Sequence, residues 1–405
     1  MNFLLDKNSP MNAAYIVSAV RTPMGKFGGS LRDFSPADLG VVAARAALER
    51  AGVAAGQVNE VILGCARQAG GGPNIARQVA FRALGPLQGT PVPALTVNQA
   101  CASGLQAVTL AAERILAGRA DCVLAGGTES MSRLPYFVEG ARWGLKMGHA
   151  RLTDAMYKDG FLDPLSEMLM GETAELLAEE YQISRQEQDR YAAESHQRAA
   201  RAWQDCRFRE EVVPIDVQEK KGTRQMEQDE TFRADTSEEK LARLSPVFKK
   251  EGTVTAGNAS QITDGAAALV LVSEAKLKEW NLQPLARLEA WTTVGVDPRR
   301  MGLGPVPAVE RLLQQTGARL EGFDLVELNE AFAAQVLACG RELDFDLERL
   351  NVNGGAIALG HPIGCSGARI LTTLIHELRR RKARRGLATL CVSGGLGMAV
   401  SVQVV

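Results

Sequence analysis

The stretch VNQACASGLQA, residues 97–107, decides the fold because a strand pattern changes there into a helix pattern. An apolar lead at Ala94, Leu95 and Val97 stops at a turn of small residues, and LQAVTLAAERILAG then has helical spacing and ends in Gly. Cys101 is therefore predicted where a strand passes into a helix. Backbone N–H groups at a helix start lower the pKa of a thiol and hold a developing oxyanion, so Cys101 is a candidate nucleophile. The alternative is a small buried apolar residue, the commoner role of a free cysteine.

Strand and helix patterns alternate on both sides of this stretch. Toward the N-terminus, AYIVSAV and NEVILG are typical of strands, and Ser35, Pro36 and Asp38 form an N-cap, a first-turn proline and an acidic first turn. Toward the C-terminus, ADCVLAGGTESM is predicted as a short buried strand, and alternation resumes at AAALVLVSEAKL. The order of these elements predicts an α/β protein with layered, largely parallel sheets.

The two ends of the chain resemble each other. Residues 46–64 and 310–328 share a helix, glycine and strand pattern, and VNQACASGLQAV is echoed by VN at 352 and by GCSGARIL at 364–371. Such a duplication predicts two similar βαβ halves with a site near their junction, at the carboxyl ends of strands. We assign residues 1–133 plus 264–284 to the N-terminal half and residues 285–405 to the C-terminal half.

Residues 134–263 between these halves are predicted to form an inserted loop domain. Charge rises there and strand patterns become sparse. SRQEQDRYAAESHQRAARAW is typical of a long amphipathic helix, and Ser184 and Glu187 form its capping box. His196, in that helix, and His376, in a later one, have Arg and Glu neighbours and are expected at the surface.

Composition excludes several classes of protein. The chain has 405 residues and a net charge of −1, which argues against a nucleic-acid or anionic-membrane partner. No apolar run reaches the roughly 18 residues of a membrane span, and Asp6 and Lys7 interrupt any signal-peptide core. Seven cysteines with no CxxC pair indicate neither a disulfide framework nor a zinc site. We expect a cytoplasmic protein without a metal, whose residues 1–10 form a disordered tail if Met11 is the start.

The second half supplies further candidate site residues. Asn329 and Glu330 follow the strand pattern DLVEL, and Cys391 precedes a glycine turn in TLCVSGGLGMAV. His361 lies between Gly and Pro at a helix entrance, in a loop so rich in glycine that backbone must approach something closely. An imidazole in that place is a candidate general base.

Other readings of these glycine-rich and basic segments fail on their spacing. GGAIALGHP lacks the Lys-Ser/Thr ending of a phosphate-binding loop, and no GxGxxG follows a strand and opens a helix, so a nicotinamide cofactor is not indicated. The basic run RRRKARR, residues 379–385, is predicted to be a solvated helix C-terminus rather than a nucleic-acid patch.

Four motifs in order resemble those of the thiolase family of acyl-CoA acyltransferases. They are VNQACASGLQA with Cys101, NEAFA from Asn329, GGAIALGHPIGCSGAR with His361, and CVSGGLGMA with Cys391. GGTESMS, MGETAE and VTAGNASQITDGAAA also resemble thiolase segments, so the resemblance covers essentially the whole chain. It implies duplicated βαβ halves in a layered α-β-α-β-α body with an inserted loop domain.

The resemblance also implies an activity and a set of roles. Thiolases interconvert a 3-ketoacyl-CoA plus CoA with two acyl-CoA molecules in a ping-pong scheme through an acyl-cysteine. Cys101 matches the nucleophile, His361 its activator, and Cys391 the second cysteine, which acts as acid or base on the acetyl-CoA carbon. By the same resemblance, Asn329 holds a water at the enolate oxygen, and the backbone N–H groups of Cys101 and Ser393 hold the thioester oxyanion.

Binding partners follow from the same resemblance. Ser260 matches a position near the pantetheine chain, and the other implied substrate contacts are Met170, Ala331 and Phe332. The inserted domain is implied to bind CoA and to make the contacts of a homodimer or homotetramer. Coenzyme A is expected as a substrate, and no separate cofactor, nucleic acid or membrane is expected.

Three residues depart from the family pattern, and one of them, Leu169, affects the predicted substrate. Leu169 stands where biosynthetic acetoacetyl-CoA thiolases usually have His, which favours a 3-ketoacyl-CoA thiolase of broader chain length, as in β-oxidation of fatty acids. Ser393 and Gln261 each replace a frequent Gly. The alternatives are a strict acetoacetyl-CoA thiolase and a non-catalytic thiolase-like binding protein. A β-ketoacyl synthase is disfavoured by Cys391 and by NEAFA.

Overall fold

The computed structural model of the chain describes residues 13–85, 92–220 and 222–405. The expectation of a disordered tail at residues 1–10 lies outside the described residues. Strands β1 to β14 are, in order, Ala14–Arg21, Gly25–Lys26, Glu60–Gly64, Ala94–Val97, Cys122–Ser130, Tyr136–Phe137, Thr153–Asp154, Ile215–Glu219, Gly222–Met226, Thr263–Ser273, Ala286–Gly295, Leu325–Leu328, Arg385–Val392 and Leu396–Val404. Helices α1 to α11 are Pro36–Ala51, Ile75–Leu84, Ser103–Leu116, Met170–Glu180, Arg185–Gln204, Glu238–Ala242, Glu274–Glu279, Pro305–Thr316, Ala333–Leu343, Ala356–Leu359 and Ile363–Arg381.

The main sheet contains the same arrangement twice. Its order is β12-β13-β14-β11-β1-β10-β5-β3-β4, with β2 paired to β10. Read outward from the centre, β1, β10, β5 and β3 in the N-terminal half have the positions of β11, β14, β13 and β12 in the C-terminal half. The halves join edge to edge through only two register pairs, Tyr15 with Arg287 and Ile16 with Ala286. The predicted duplication of α/β halves is therefore confirmed, while the predicted domain boundaries stay a prediction.

The expectation of largely parallel sheets is wrong. Among the described strands of the main sheet, only the pairs β3–β4, β3–β5 and β12–β13 are parallel. Strands β1, β10, β11 and β14 pair with their neighbours in the antiparallel sense. In the C-terminal half the cause is local. The turn between β13 and β14 contains Gly394 and Gly395 at φ 87° and 79°, which makes a tight hairpin possible, and a tight hairpin reverses the chain.

Both predicted helix caps are present, because their side chains satisfy otherwise unpaired N–H groups at the helix start. At α1 the Asp38 N–H donates to Ser35 Oγ over 3.2 Å, and the Ser35 N–H donates to the Asp38 carboxylate over 2.8 Å. At α5 the Glu187 N–H donates to Ser184 Oγ over 3.2 Å, and the Ser184 N–H donates to the Glu187 carboxylate over 2.7 Å.

The expectation that His196 lies at the surface is wrong. Its side chain is buried on the inner face of α5, where Nδ1 accepts the backbone N–H of Arg233 over 3.1 Å. Burial lowers the pKa of His196 to about 4, so the ring is neutral and serves as a packing residue. His376 is half-buried and its Nε2 donates to the Ala19 carbonyl over 2.8 Å.

Helices α3 and α11 pack against each other in the main hydrophobic core, and glycines set how closely they approach. A Cβ built on Gly104 of α3 lies 2.8 Å from the Gly364 carbonyl oxygen of α11, and one built on Gly127 of β5 lies 2.1 Å from the same oxygen. Real side chains do not fit at such distances. The start of α11 is therefore held against the start of α3. None of the helices in the described ranges combines the length and apolarity needed to cross a bilayer.

Candidate active site

Cys101 occupies the turn between β4 and α3, as the sequence predicts. Ala100 has a left-handed φ of 44°, and Ser103 Oγ both accepts the Gln99 N–H over 2.9 Å and donates to the Ala100 carbonyl over 2.6 Å. The Cys101 side chain is 9% exposed. This tight turn, tied to the first residue of the helix, fixes the direction of the thiol.

The expectation that the pKa of Cys101 is lowered at the helix start is wrong, because the net effect of its surroundings is to raise that pKa. Burial raises the pKa of the Cys101 thiol, and this effect exceeds the opposing influence of the Arg67 charge and of hydrogen bonds from the Ser393 and Cys101 N–H groups. The thiol is therefore protonated at neutral pH and needs a base. The contact from the Ser393 N–H also shows that the β13–β14 turn reaches Cys101.

His361 lies at the entrance of α11 and is 7% exposed. The backbone N–H of His361 donates to the Gln261 carbonyl over 3.0 Å, and its ring Nδ1 lies 2.6 Å from Ser366 Oγ. Since Ser366 Oγ donates to the Pro362 carbonyl over 3.0 Å, the same oxygen accepts a proton from Nδ1. We assign this tautomer from the hydrogen bonds; it leaves Nε2 unprotonated.

Electrostatics keep the His361 ring neutral. Burial, followed by the Arg369 and Arg67 charges, lowers the pKa of His361 to about 3. A neutral imidazole with a free Nε2 can accept a proton, which is the requirement for a general base. The structure thus fits the chemistry expected of this residue.

Cys391 lies near the end of β13 and is 1% exposed. Burial raises the pKa of its thiol well above the ordinary value, and the nearby Cys101 sulfur raises it further. The structure therefore brings the two cysteines together although they are far apart in sequence. All seven cysteines of the chain are free.

Asn329 follows β12, where its N–H donates to the Thr389 carbonyl over 3.0 Å. The side chain is fully buried, yet neither Oδ1 nor Nδ2 has a hydrogen-bond partner in the described residues. A buried amide in this state is costly unless a water or a ligand pairs with it. The adjacent Glu330 differs, since its carboxylate accepts hydrogen bonds from Tyr191, Ser195, Asn351 and Ile357. Glu330 is thus a structural residue.

The predicted substrate contacts lie around Cys391. Met170, Ala331, Phe332 and Cys391 belong to one apolar cluster. Ser260 joins it through the backbone, because its N–H donates to the Ala331 carbonyl over 2.9 Å. The structure thus brings together the implied substrate contacts and the second cysteine.

Sequence reasoning missed three residues that support this arrangement. Ser366 orients His361, and its only signal in the sequence is its position in the first turn of α11, shortly after the histidine. Glu129 accepts backbone N–H groups from Ala66, Arg67 and Gly364, and so connects three segments. The available signal is a lone acid in the apolar and small-residue strand CVLAGGTES. Arg67 is the third, buried near Cys101.

Two buried thiols and a neutral imidazole at the junction of duplicated α/β halves are features of an enzyme that transfers acyl groups through cysteine. Residues 14–275 match the family described as the thiolase N-terminal domain, and residues 282–404 match the thiolase C-terminal domain. The chain therefore belongs to the thiolase family, and it is an acyltransferase.

Individual relatives agree with this assignment. An acetyl-CoA acetyltransferase of Pseudomonas aeruginosa is 52% identical over 97% of this chain and 99% of its own length. The crystal structure of the Bacillus anthracis acetyl-CoA acetyltransferase has a TM-score of 0.95 at 46% identity and covers 98% of this chain and 99% of that one. Human mitochondrial 3-ketoacyl-CoA thiolase in complex with CoA has a TM-score of 0.92 at 44% identity, over 97% of this chain and 98% of that one.

Proposed function

We propose that the chain catalyses reversible transfer of an acyl group between a 3-ketoacyl-CoA plus CoA and an acyl-CoA plus acetyl-CoA, through an acyl-Cys101 intermediate. The observation that carries the proposal is the proximity of two buried thiols, Cys101 and Cys391. It is supported by a neutral His361, whose Nδ1 is held by Ser366, at the start of the helix that packs against the helix of Cys101. A nucleophile, a base and a second acid are the groups that this chemistry requires.

In the cleavage direction, His361 Nε2 takes the thiol proton of Cys101, and the thiolate adds to the 3-keto carbon. The bond between C2 and C3 breaks, the acyl group stays on Cys101 as a thioester, and the acetyl-CoA carbanion takes the proton of Cys391. The thiol of free CoA then attacks the thioester while its proton restores Cys391, and Cys101 recovers its proton from His361. Condensation is the reverse sequence.

Two sets of donors stabilise the developing charges. We propose that the N–H groups of Ser393 and Cys101 bind the oxyanion of the tetrahedral adduct, and the contact of the Ser393 N–H with the Cys101 sulfur supports this role. The buried amide of Asn329 has no hydrogen-bond partner within the described part of the chain, which suits it to hold a water at the enolate oxygen together with His361. We propose that Ser260, Met170, Ala331 and Phe332 contact the CoA thioester.

Two ranges of acyl chain length are compatible with this proposal. Leu169 caps α4 beside Met170 and offers an apolar side chain where a histidine is usual in strict acetoacetyl-CoA thiolases, which favours a broader range of chain lengths and a role in β-oxidation. The alternative, a strict acetyl-CoA C-acetyltransferase, is favoured by the name of the P. aeruginosa relative. Thiolysis rates for acetoacetyl-CoA and for longer 3-ketoacyl-CoAs separate the two. Absence of thiolysis at every chain length by folded protein would contradict both.

Two variants test the division of roles between the cysteines. Cys101→Ala abolishes acyl-enzyme formation, measured by intact mass after incubation with acetyl-CoA. Cys391→Ala still acquires the acyl group on Cys101 but neither condenses nor cleaves, because the carbanion has no acid or base. Normal condensation by Cys391→Ala would show that the proton transfer is wrongly assigned.

The wider setting follows from the same proposal. We propose a cytoplasmic homodimer or homotetramer that uses CoA as a substrate. We also propose that residues 134–263 act as an inserted domain for CoA binding and subunit contacts, between an N-terminal half of residues 1–133 plus 264–284 and a C-terminal half of residues 285–405. Light scattering of the purified protein tests the oligomer.

A further inference from the structure

The short helix α10 ends two residues before His361 and cannot satisfy all of its own carbonyl groups. The backbone N–H groups within and just after this helix donate to the carbonyls of Gly355 and Ala356. These bonds leave the carbonyls of Ile357 and Ala358 for donors from other parts of the chain. The conformation of the chain that leads into His361 therefore depends on a residue outside α10.

The side-chain amide of Gln261 supplies these donors. Its Nε2 donates to the Ile357 carbonyl over 3.0 Å and lies 3.5 Å from the Ala358 carbonyl. The same nitrogen donates to the Thr231 carbonyl over 2.9 Å. Because all three partners are carbonyl oxygens, they assign the orientation of the amide, whose two hydrogens are both used. A glycine, which is frequent at this position in the family, could supply none of these donors.

The backbone of Gln261 binds the next part of the chain. The His361 N–H donates to the Gln261 carbonyl over 3.0 Å and lies 3.2 Å from Thr263 Oγ. The Thr263 hydroxyl in turn donates to the Gln261 carbonyl over 2.7 Å. A Cβ built on Gly360 would lie 2.2 Å from Thr263 Oγ, so the chain before His361 lies directly against this segment. Gln261 thus binds the chain on both sides of Gly360.

The segment that contains Gln261 also contacts the loop of Asn329. The Ser260 N–H donates to the Ala331 carbonyl over 2.9 Å, two residues after Asn329. Neighbouring residues of one segment therefore bind the loop of Asn329 and the loop of His361. The proposed function assigns these two loops to the same enolate oxygen.

Thr231 anchors the amide of Gln261 outside both loops. It is 1% exposed and precedes Arg233, whose backbone N–H donates to the buried His196 of α5 over 3.1 Å. Helix α5 also packs against α10. The amide therefore joins the end of α10 to a buried part of residues 134–263.

We propose that Gln261 is a positioning residue for His361, because its side-chain amide fixes the end of α10 and so the place of the imidazole relative to the Cys101 thiol. This inference rests on the proposed function, in which His361 takes the thiol proton. It also assigns a role to a residue that departs from the family pattern. A general base must lie within hydrogen-bond reach of the proton it takes, so a small displacement of this loop lowers the rate of acylation.

Single-turnover acylation of Cys101 by acetyl-CoA tests this role. Intact mass follows the acyl-enzyme at several acetyl-CoA concentrations, which separates the maximal rate from the half-saturating concentration. Gln261→Met keeps the length of the side chain and removes both donors. We expect a maximal rate roughly tenfold lower, the size of about two lost hydrogen bonds, and an unchanged half-saturating concentration. Gln261→Glu directs a carboxylate at the same carbonyls and should lower the maximal rate further.

Gln78→Met is the matched control. Gln78 Nε2 also donates to two carbonyls, those of Gly71 over 2.9 Å and Pro73 over 3.1 Å, in the N-terminal half. This control should lower the melting temperature, as Gln261→Met does, but leave the maximal acylation rate unchanged. Hydrogen–deuterium exchange of the peptide that contains residues 355–361 should become faster in Gln261→Met and not in the control.

A wild-type maximal rate in Gln261→Met or in Gln261→Glu overturns the proposal. An equal loss of rate in Gln78→Met also overturns it, because general destabilisation would then explain the effect. A higher half-saturating concentration with a retained maximal rate would assign Gln261 to CoA binding instead. Slower acylation without faster exchange in residues 355–361 would show that the amide does not act through α10. A wild-type protein that forms no acyl-enzyme overturns the proposed function and this inference with it, whereas an active wild type beside an unimpaired Gln261→Met overturns the inference alone.

Discussion

Removing the hydroxyl of Ser366 tests whether the orientation of His361 limits the rate. Ser366 is fully buried, and its Oγ lies 2.6 Å from His361 Nδ1. A buried hydrogen bond of this kind contributes about 1 to 2 kcal/mol, so Ser366→Ala should lower kcat/KM for acetoacetyl-CoA thiolysis roughly 5- to 30-fold. The loss should appear in acylation of Cys101, because that is the step in which we propose that the imidazole acts as the base.

Stopped-flow acylation with acetyl-CoA and steady-state thiolysis measure the two quantities separately. Ser401→Ala is the matched control, since Ser401 is also fully buried but its Oγ has no hydrogen-bond partner in the described residues. Ser401→Ala should therefore leave both rates near the wild-type values. Wild-type acylation by well-folded Ser366→Ala would refute the claim that this serine fixes the tautomer of His361.

Two further predictions concern ionisation and packing. Burial raises the pKa of Cys101, so its thiolate fraction increases with pH throughout the neutral range. The rate of alkylation by iodoacetamide should therefore rise about tenfold per pH unit. A rate that reaches a plateau below neutral pH would contradict this prediction. Gly127→Ala places a methyl group 2.1 Å from the Gly364 carbonyl oxygen and should lower the free energy of unfolding by about 3 kcal/mol. Gly56→Ala has open space around it and should change the free energy of unfolding little. Urea unfolding measures both variants, and equal stability of the two would contradict the steric argument.

Local signals in the sequence predicted much of the fold. The cap at Ser35, the strand-to-helix turn at Cys101 and the helix entrance at His361 all depend on nearby residues, so their patterns could be read directly. The duplication also predicted that distant loops would meet at one junction. The family and its acyltransferase activity are confirmed by the comparisons, while the roles of individual site residues stay predictions.

Features that depend on tertiary packing could not be predicted in this way. The predicted directions of β10 and β14 were wrong, because similar apolar runs form both parallel and antiparallel pairs. The segment that connects two strands decides between the two directions. The predicted surface position of His196 was wrong because its charged neighbours lie on one face of α5 and the histidine lies on the other. The burial of Arg67 near Glu129 has no sequence signature, since the two residues approach each other only in the folded chain.

Helices α3 and α11 occupy corresponding positions in the two halves, and each orients a different candidate reactive side chain. Each has a serine in its first turn: Ser103, the first residue of α3, holds the turn of Cys101, and Ser366, the fourth residue of α11, holds the ring of His361. The two serines occupy corresponding positions in the sequence repeat, so the same position anchors Cys101 in one half and His361 in the other. Cys101 lies in the first half and Asn329, His361 and Cys391 lie in the second, so neither half contains the complete set of candidate reactive groups.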